Sequence, residues 1–224
     1  MAADDRDLLD AQIRYYRARA AEYDETSTPE DDPFAADADR IRAALRAFEP
    51  RGRVLELAAG TGQWTGLLAE FADELVATDA SPEMLELNAT KVGDPSIAYR
   101  VADAFGLEAT HDHDVVFFGF FLSHVPSDAF QPFWHVLEGL LAPDGRVFLV
   151  DEAAHGLWDE DWIEPGIVRR TLRNGTPHRA VKVLWEPADL EARLHELGWQ
   201  LAIERSGPFL WGGGSLDNAA GNRS

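Results

Sequence analysis

The chain has 224 residues, no cysteine and a formal charge of −20, from 20 Lys plus Arg against 40 Asp plus Glu. That length suits one α/β domain with a continuous core, and no window approaches the roughly 18 uninterrupted apolar residues of a membrane helix. The acidic start MAADDRDLLDAQ is unlike a secretory leader, the absence of cysteine gives no sign of an oxidising compartment, and the charge repels phosphate backbones, so a cytoplasmic protein with no nucleic-acid and no membrane partner is expected.

In chain order, Leu9, Ile13, Tyr16, Ala20 and Tyr23 recur at helical spacing and predict an amphipathic helix over 5–23 that packs as a flap. Residues 24–39 carry Thr26, Ser27, Pro29, Pro33 and several acids without periodicity, which predicts a loop. A second helix follows, with Ile41, Leu45 and Phe48 on one face. From Pro50 short apolar runs alternate with helical stretches, the sign of βαβ units and a parallel sheet. The strands are expected at 53–58, 74–79, 97–102, 114–120 and 146–151. Ser81-Pro82 and Ser127-Asp128 announce helices, the second running through Leu141 until Ala142-Pro143-Asp144-Gly145 stops it. After Asp151 comes an insert rich in Trp, Pro and Gly, in which Asn174-Gly175 between the runs 167–173 and 176–185 signals a hairpin. A last helix, 187–197, is closed by Gly198; 199–205 and 209–213 form a final antiparallel pair, and 219–224 a tail. The expected fold is therefore α/β: a doubly wound, Rossmann-like, seven-stranded and mostly parallel sheet with an antiparallel last strand, an N-terminal helical flap and a β-hairpin inserted after the fifth strand.

The most informative segment is Val54-Leu55-Glu56-Leu57-Ala58-Ala59-Gly60-Thr61-Gly62, a buried strand that runs into a glycine turn and then a helix. Such a turn lets the backbone approach a ligand, and the helix N-terminus beyond it offers unpaired N–H groups. Asp79 ends the next strand, where a carboxylate accepts both hydroxyls of an adenosine ribose. The pair alone serves a nicotinamide dinucleotide or S-adenosylmethionine equally. The dinucleotide fingerprint needs a third glycine, and Gly60-Thr61-Gly62 is followed instead by Gln63, Trp64 and Thr65.

VLELAAGTG, ELVATDAS, RVADAF, DVVFFGFFLSHV and LLAPDGRVFLVDE resemble, in order and spacing, the successive motifs of the class I S-adenosylmethionine-dependent methyltransferases, over about residues 40–206. The resemblance implies S-adenosylmethionine as cofactor, with Glu56, Ala58 and the Gly60–Gly62 turn on its methionine and ribose side. It implies Asp79 and Ala80 at the ribose, Met84 near the adenine face, Asp103 and Ala104 at the adenine edge and Phe120 near the sulfonium. Ala58 stands where the family more usually has glycine. In related small-molecule methyltransferases a helix of the form Tyr…Ala-x-x-Tyr-Asp closes over the cofactor, and Tyr16, Ala20, Tyr23 and Asp24 follow it; equally, these rings could simply bury themselves against the sheet. The chain is then one methyltransferase domain over 1–224. Its parts are helices in 1–50, a cofactor-binding half in 51–152, an insert in 153–185 that covers the substrate, and the last helix and strand pair in 186–216.

Methyl transfer from a sulfonium needs an aligned acceptor and, where the acceptor carries a proton, a base. His124, just past the fourth strand, is the candidate catalytic base, with a structural histidine before Pro126 as the competing account. Arg169, Arg170, Arg173, Arg179 and Lys182 fall in a stretch without acids. Arg169 and Arg170, with Tyr15 and His155, are therefore candidates to hold a small acceptor, the arginines through a carboxylate or phosphate on it. Alternation puts Arg170 on one face with Val168 and Leu172 and Arg169 on the other with Arg173, without saying which looks inward. The strand cations of such a hairpin also commonly just answer acidic neighbours. His111-Asp112-His113-Asp114 lacks a third ligand at a known spacing, so no metal is expected. The function expected is methyl transfer to an O, N or C nucleophile of a metabolite. The alternatives are a nicotinamide-dependent oxidoreductase on the same fold and a non-catalytic cofactor-binding protein.

Overall fold

The computed structural model describes residues 3–23, 33–154 and 160–217. Helix α1 (Ala3–Arg19) continues as one tighter turn, Ala20–Glu22, and α2 (Ala35–Phe48) stops at Glu49, whose left-handed φ of 51° and following Pro50 prevent another turn. The sheet strands are β1 (Arg53–Leu57), β2 (Glu74–Asp79), β3 (Ala98–Val101), β4 (His113–Gly119) and β5 (Leu141–Glu152). Between them lie α3 (Thr65–Ala69), α4 (Pro82–Val92) and α5 (Phe130–Leu140). α4 begins as its sequence predicts: Ser81 Oγ accepts from the Met84 N–H at 3.2 Å, Pro82 occupies the first turn, and Gly93 closes the helix at φ 68°.

β6 (Trp162–Glu164), β7 (Ile167–Thr171) and β8 (Pro177–Val181) form a separate three-stranded antiparallel sheet. The hairpin over β7 and β8 was expected; β6 was not, because three exposed residues have no alternation to detect. Helix α6 (Pro187–Glu196) then leads to β9 (Trp199–Ser206) and β10 (Phe209–Leu216).

The main sheet runs β3-β2-β1-β4-β5-β10-β9, with β1 to β5 parallel and β10 antiparallel to both neighbours. This is the doubly wound, seven-stranded arrangement expected. Strands β1, β4 and β5 are apolar on both faces because helices cover both. Val54, Val115, Phe117, Phe148 and Val150 join Ile41 and Leu45 of α2 in one core layer. The alternating Leu55, Val116, Phe118, Val147 and Leu149 join Phe133, Trp134 and Leu137 of α5 and Leu190 and Leu194 of α6 in the other. Two strands end a residue earlier than predicted, β1 at Leu57 and β4 at Gly119, because Ala58 and Phe120 turn to φ 49° and 55°. β5 starts at Leu141 rather than after the Ala142–Gly145 turn; its pairing with β4 shifts register there, so that turn sits in the strand as a bulge.

Candidate active site

The strand order reverses between β1 and β4, and in open α/β sheets the crevice beyond the carboxyl ends at such a point takes the ligand. Here it is a cleft of about 820 Å³, its open mouth included. Its base is built from the segments that follow the strands: Ala58 and Gly60 after β1, Asp79 to Ser81 after β2, Ala102 to Phe105 after β3, and Gly119 to Phe121 at the end of β4. Met84 of α4 adds one wall, while Leu9, Gln12, Ile13 and Tyr16 of α1, with Tyr23, close it from above. Leu9, Gln12, Ile13 and Tyr16 share one helix face at i, i+3, i+4 and i+7, so the periodicity that predicts α1 also marks its cleft-facing stripe. Arg17 pins that helix to α4 through Glu83, at 3.1 and 3.2 Å.

Backbone shape at the cleft is unusual at both central strands. A left-handed conformation costs a residue with a Cβ about 1–2 kcal/mol, yet Ala58 and Phe120 both adopt it. Gly60, at φ 53°, has only the Ala58 carbonyl within 4.0 Å of where a Cβ would stand, so this turn leaves open space toward the cleft. Gly62 serves a different purpose. A Cβ there would lie 2.6 Å from Asn88 Oδ1, so this glycine seats the turn on α4, where Asn88 donates to Thr65 Oγ1 at 2.8 Å and to the Gly60 carbonyl at 3.3 Å.

Asp79 accepts the Gly60 N–H on Oδ2 at 2.9 Å and the Ser81 N–H on Oδ1 at 2.8 Å. Burial raises its pKa, opposed by those N–H groups and that of Ala80. Glu56 is buried behind the turn with Oε2 lacking any partner; burial pushes its carboxyl up to about 8, with Thr65 opposing and Asp79 reinforcing the shift. An ionised carboxylate offers about four lone-pair positions, so Asp79 keeps acceptor capacity toward the cleft. That capacity and the open space at Gly60 fit an adenosyl ligand carrying ribose hydroxyls.

At the far end His124, 8% exposed, sits between two partners. Its Nδ1 lies 2.8 Å from the Val181 carbonyl and its Nε2 2.8 Å from the Tyr16 hydroxyl. A carbonyl only accepts, so Nδ1 carries the hydrogen and Tyr16 donates to Nε2. Burial, then Lys182, Arg170 and Arg19 hold the His124 pKa well below its ordinary value, against the pull of the Val181 carbonyl. Burial, chiefly, also lifts the Tyr16 phenol well above its own.

Tyr16, Tyr23, Ala58, Gly60, Asp79, Ala80, Met84, Asp103, Ala104, Phe120 and His124 thus line one cleft, while Glu56 and Gly62 lie outside its lining. Tyr15 is also off the lining, buried with its ring 5.3 Å from that of His178. Val168 and Leu172 are buried and Arg169 is exposed, so the inward face of the hairpin is that of Arg170, 28% exposed. Every cation of the acid-free stretch meets an acid from elsewhere in the chain. Arg169 pairs with Asp161 at 3.4 Å, Arg170 with Glu160 at 2.7 Å, Arg173 with Glu22 at 3.6 Å, Lys182 with Glu152 at 2.5 Å, and Arg179 with Glu164. His155 and Asp24 lie outside the described residues. In His111–Asp114, His113 Nδ1 faces the Leu140 carbonyl at 3.1 Å and Asp112 pairs with Arg53 at 2.5 Å, and no group of three or more metal-ligating side chains occurs among the described residues. Nor is any helix among them long and apolar enough to cross a membrane.

The fold and this cleft define an α/β enzyme that binds an adenosyl ligand at the switch point of its sheet. Residues 54–145 match the family model described as methyltransferase domain. The structure of DhpI with SAH is 38% identical, covers 94% of this chain and 98% of its own and superposes with a TM-score of 0.84; the DhpI-SAM-HEP complex is 40% identical over 92% and 96%, with a TM-score of 0.82. The 1,6-didemethyltoxoflavin-N1-methyltransferase of Burkholderia thailandensis, at 18% identity over 97% of this chain and 92% of its own, shares the fold with a TM-score of 0.67. A search of curated proteins finds no match. The chain belongs to the class I S-adenosylmethionine-dependent methyltransferases, with S-adenosylmethionine as its methyl donor. The nicotinamide alternative falls with that assignment.

Proposed function

We propose that this enzyme methylates a small anionic metabolite, whose acidic group is held at the Tyr16–His124 end of the cleft. One observation carries the proposal: the insert strand whose Val181 carbonyl holds His124 runs directly into the buried Lys182, and its neighbour carries the inward-facing Arg170, cations that with Arg19 disfavour a protonated imidazole. A histidine held well below its ordinary pKa is neutral near pH 7, yet retains a proton poorly. It therefore suits a nucleophile that parts with its proton easily or arrives ionised, as an acid does. Arg170 and Lys182 pair with Glu160 and Glu152, and on this reading the acidic group of the acceptor shares those cations with them. DhpI forms a complex with SAM and HEP together, which supports a ternary complex of chain, donor and acceptor.

On this reading Asp79, Ala80 and Gly60 hold the ribose side of the donor, Met84, Asp103 and Ala104 the adenine, and Ala58 and Phe120 flank the reacting end, with Glu56 behind them. Gly62 acts on the turn by seating it on α4, and the α1 face with Tyr16 and Tyr23 excludes water. Bound S-adenosylmethionine supplies an electrophilic methyl group on a sulfonium that is already a good leaving group. His124 is the site's proton acceptor, reached through the Tyr16 hydroxyl that caps Nε2. Arg170 is the inward cation of the insert that meets the acceptor; Tyr15 supports it by packing on His178, the residue opposite Arg170 in β8.

The test compares carboxylic and phosphoric acids with their neutral amides and esters as acceptors, reading S-adenosylhomocysteine formation. Acids are expected to turn over. Arg170→Gln is expected to raise the acceptor KM roughly 10- to 150-fold, the loss of one charge-assisted contact, with donor Kd unchanged. Preference for neutral acceptors, or an unaltered KM in Arg170→Gln, would refute the anionic assignment.

A further inference from the structure

Gln12 is a buried amide on α1, one turn before Tyr16 and 5% exposed. Its Nε2 donates to the His124 carbonyl at 3.2 Å, and its Oε1 accepts the Val181 N–H at 3.0 Å. The Val181 carbonyl in turn takes the His124 Nδ1 hydrogen at 2.8 Å, and next to it the Val183 N–H donates to the Ser123 carbonyl at 2.7 Å. One side chain therefore joins three segments distant in sequence: the N-terminal helix, the loop after β4 and the last strand of the insert. It closes a ring of hydrogen bonds with His124 and Val181. A buried N–H or carbonyl stripped of its partner is costly, so these segments are bound to keep one relative placement.

We propose that Gln12 is the positioning residue of the Tyr16–His124 pair. Resting on the role given to His124 above, the inference is that the Gln12 amide holds Val181 against the imidazole, fixing the hydrogen on Nδ1. Nε2 is thereby aimed at Tyr16, which α1 delivers from the same helix face. Which ring nitrogen carries the hydrogen is set by the bond the other nitrogen makes. A shift of Val181 away from His124 therefore frees the tautomer as well as the ring. The flap and the insert then close as one unit, and only that closed unit presents the aligned pair.

The experiment uses the full chain with S-adenosylhomocysteine bound. Gln12→Met keeps side-chain length and removes both hydrogen bonds. In protein labelled with 15N-histidine, His124, assigned by its loss in His124→Gln, is expected to change from the single Nδ1–H tautomer to a mixture. The kcat is expected to fall about 10- to 100-fold, the size of a displaced catalytic group, with a smaller change in KM. Gln12→Glu keeps the acceptor for Val181 and loses the donor to the His124 carbonyl, so it is expected to retain the tautomer with a smaller fall in kcat. It decides the matter if Gln12→Met does not fold, since a wild-type kcat would then count against the proposal. An unchanged tautomer together with an unchanged kcat in Gln12→Met overturns it. A wild-type rate in His124→Gln removes the role assigned to His124 instead, and the tautomer change in Gln12→Met would still be expected.

Discussion

Asp79→Asn and Asp79→Ala separate two tasks of one carboxylate. Its oxygens take the Gly60 and Ser81 N–H groups at 2.9 and 2.8 Å, with the Ala80 N–H acting on it as well, and the rest of the usual four or so acceptor positions remain. In the proposed site these accept the ribose hydroxyls of the donor, a charge-assisted interaction of about 1.5–3 kcal/mol. Its loss corresponds to a roughly 10- to 150-fold rise in Kd for S-adenosylmethionine and S-adenosylhomocysteine alike. Asn retains one carbonyl oxygen for a backbone N–H and removes the charge, so affinity should suffer more than stability. Ala also strips both N–H groups of their partner, at about 1–3 kcal/mol. That loss lowers the midpoint of thermal unfolding by about 2–4 °C for each kcal/mol. Calorimetric titration near pH 7 reads the affinities, and thermal melts of the ligand-free protein read the stability. Wild-type Kd values for both ligands in Asp79→Asn would refute the reasoning, because the loss would then belong to the turn and not to the ligand.

Burial lifts the Glu56 carboxyl from 4.5 to about 8, so the folded chain keeps a proton that the unfolded chain releases. Its contribution to stability should therefore decline as pH rises from 4.5 to about 8, by at most about 1.4 kcal/mol per pH unit. Glu56→Gln should remove that decline, and denaturant midpoints of both proteins at about pH 5.5 and about pH 7.5 check it; equal slopes would contradict it. Tyr16→Phe leaves His124 Nε2 without its 2.8 Å partner and is expected to lower turnover about 10-fold or more, as His124→Gln should, with a smaller effect on donor Kd. Turnover equal to wild type would show that no proton passes through the hydroxyl.

Much of the frame was legible because its determinants are local. The short buried runs Val54–Leu57 and Val115–Phe118, the Ser81-Pro82 start of α4 and Asn174-Gly175 in the hairpin turn each act within a few residues. Asp79 was visible for the same reason, as an acid at a strand end beyond a glycine turn. The unusual Ala58 was visible as a residue type, but the left-handed φ of 49° that makes glycine the easier choice there emerges only in the folded turn.

Partners brought from far along the chain were not legible. Arg170 and its neighbours formed an acid-free run in sequence, and folding answered them with Glu22, Glu152, Glu160, Asp161 and Glu164. The two glycines of the turn look alike in sequence, yet only Gly60 faces the cleft, because α4 packs on the other side against Gly62. Gln12 gave no signal as a single amide in a helix; its meaning comes from His124 and Val181, which lie 112 and 169 residues away. By itself the sequence determined all the strands but β6, the order of the elements, the parallel sheet and the glycine turn after β1, since periodicity, caps and turn residues act over one element. Only the tertiary structure decided which hairpin face looks inward, which tautomer His124 carries and which acids answer the cations around it, because burial and long-range hydrogen bonds arise only once distant segments meet.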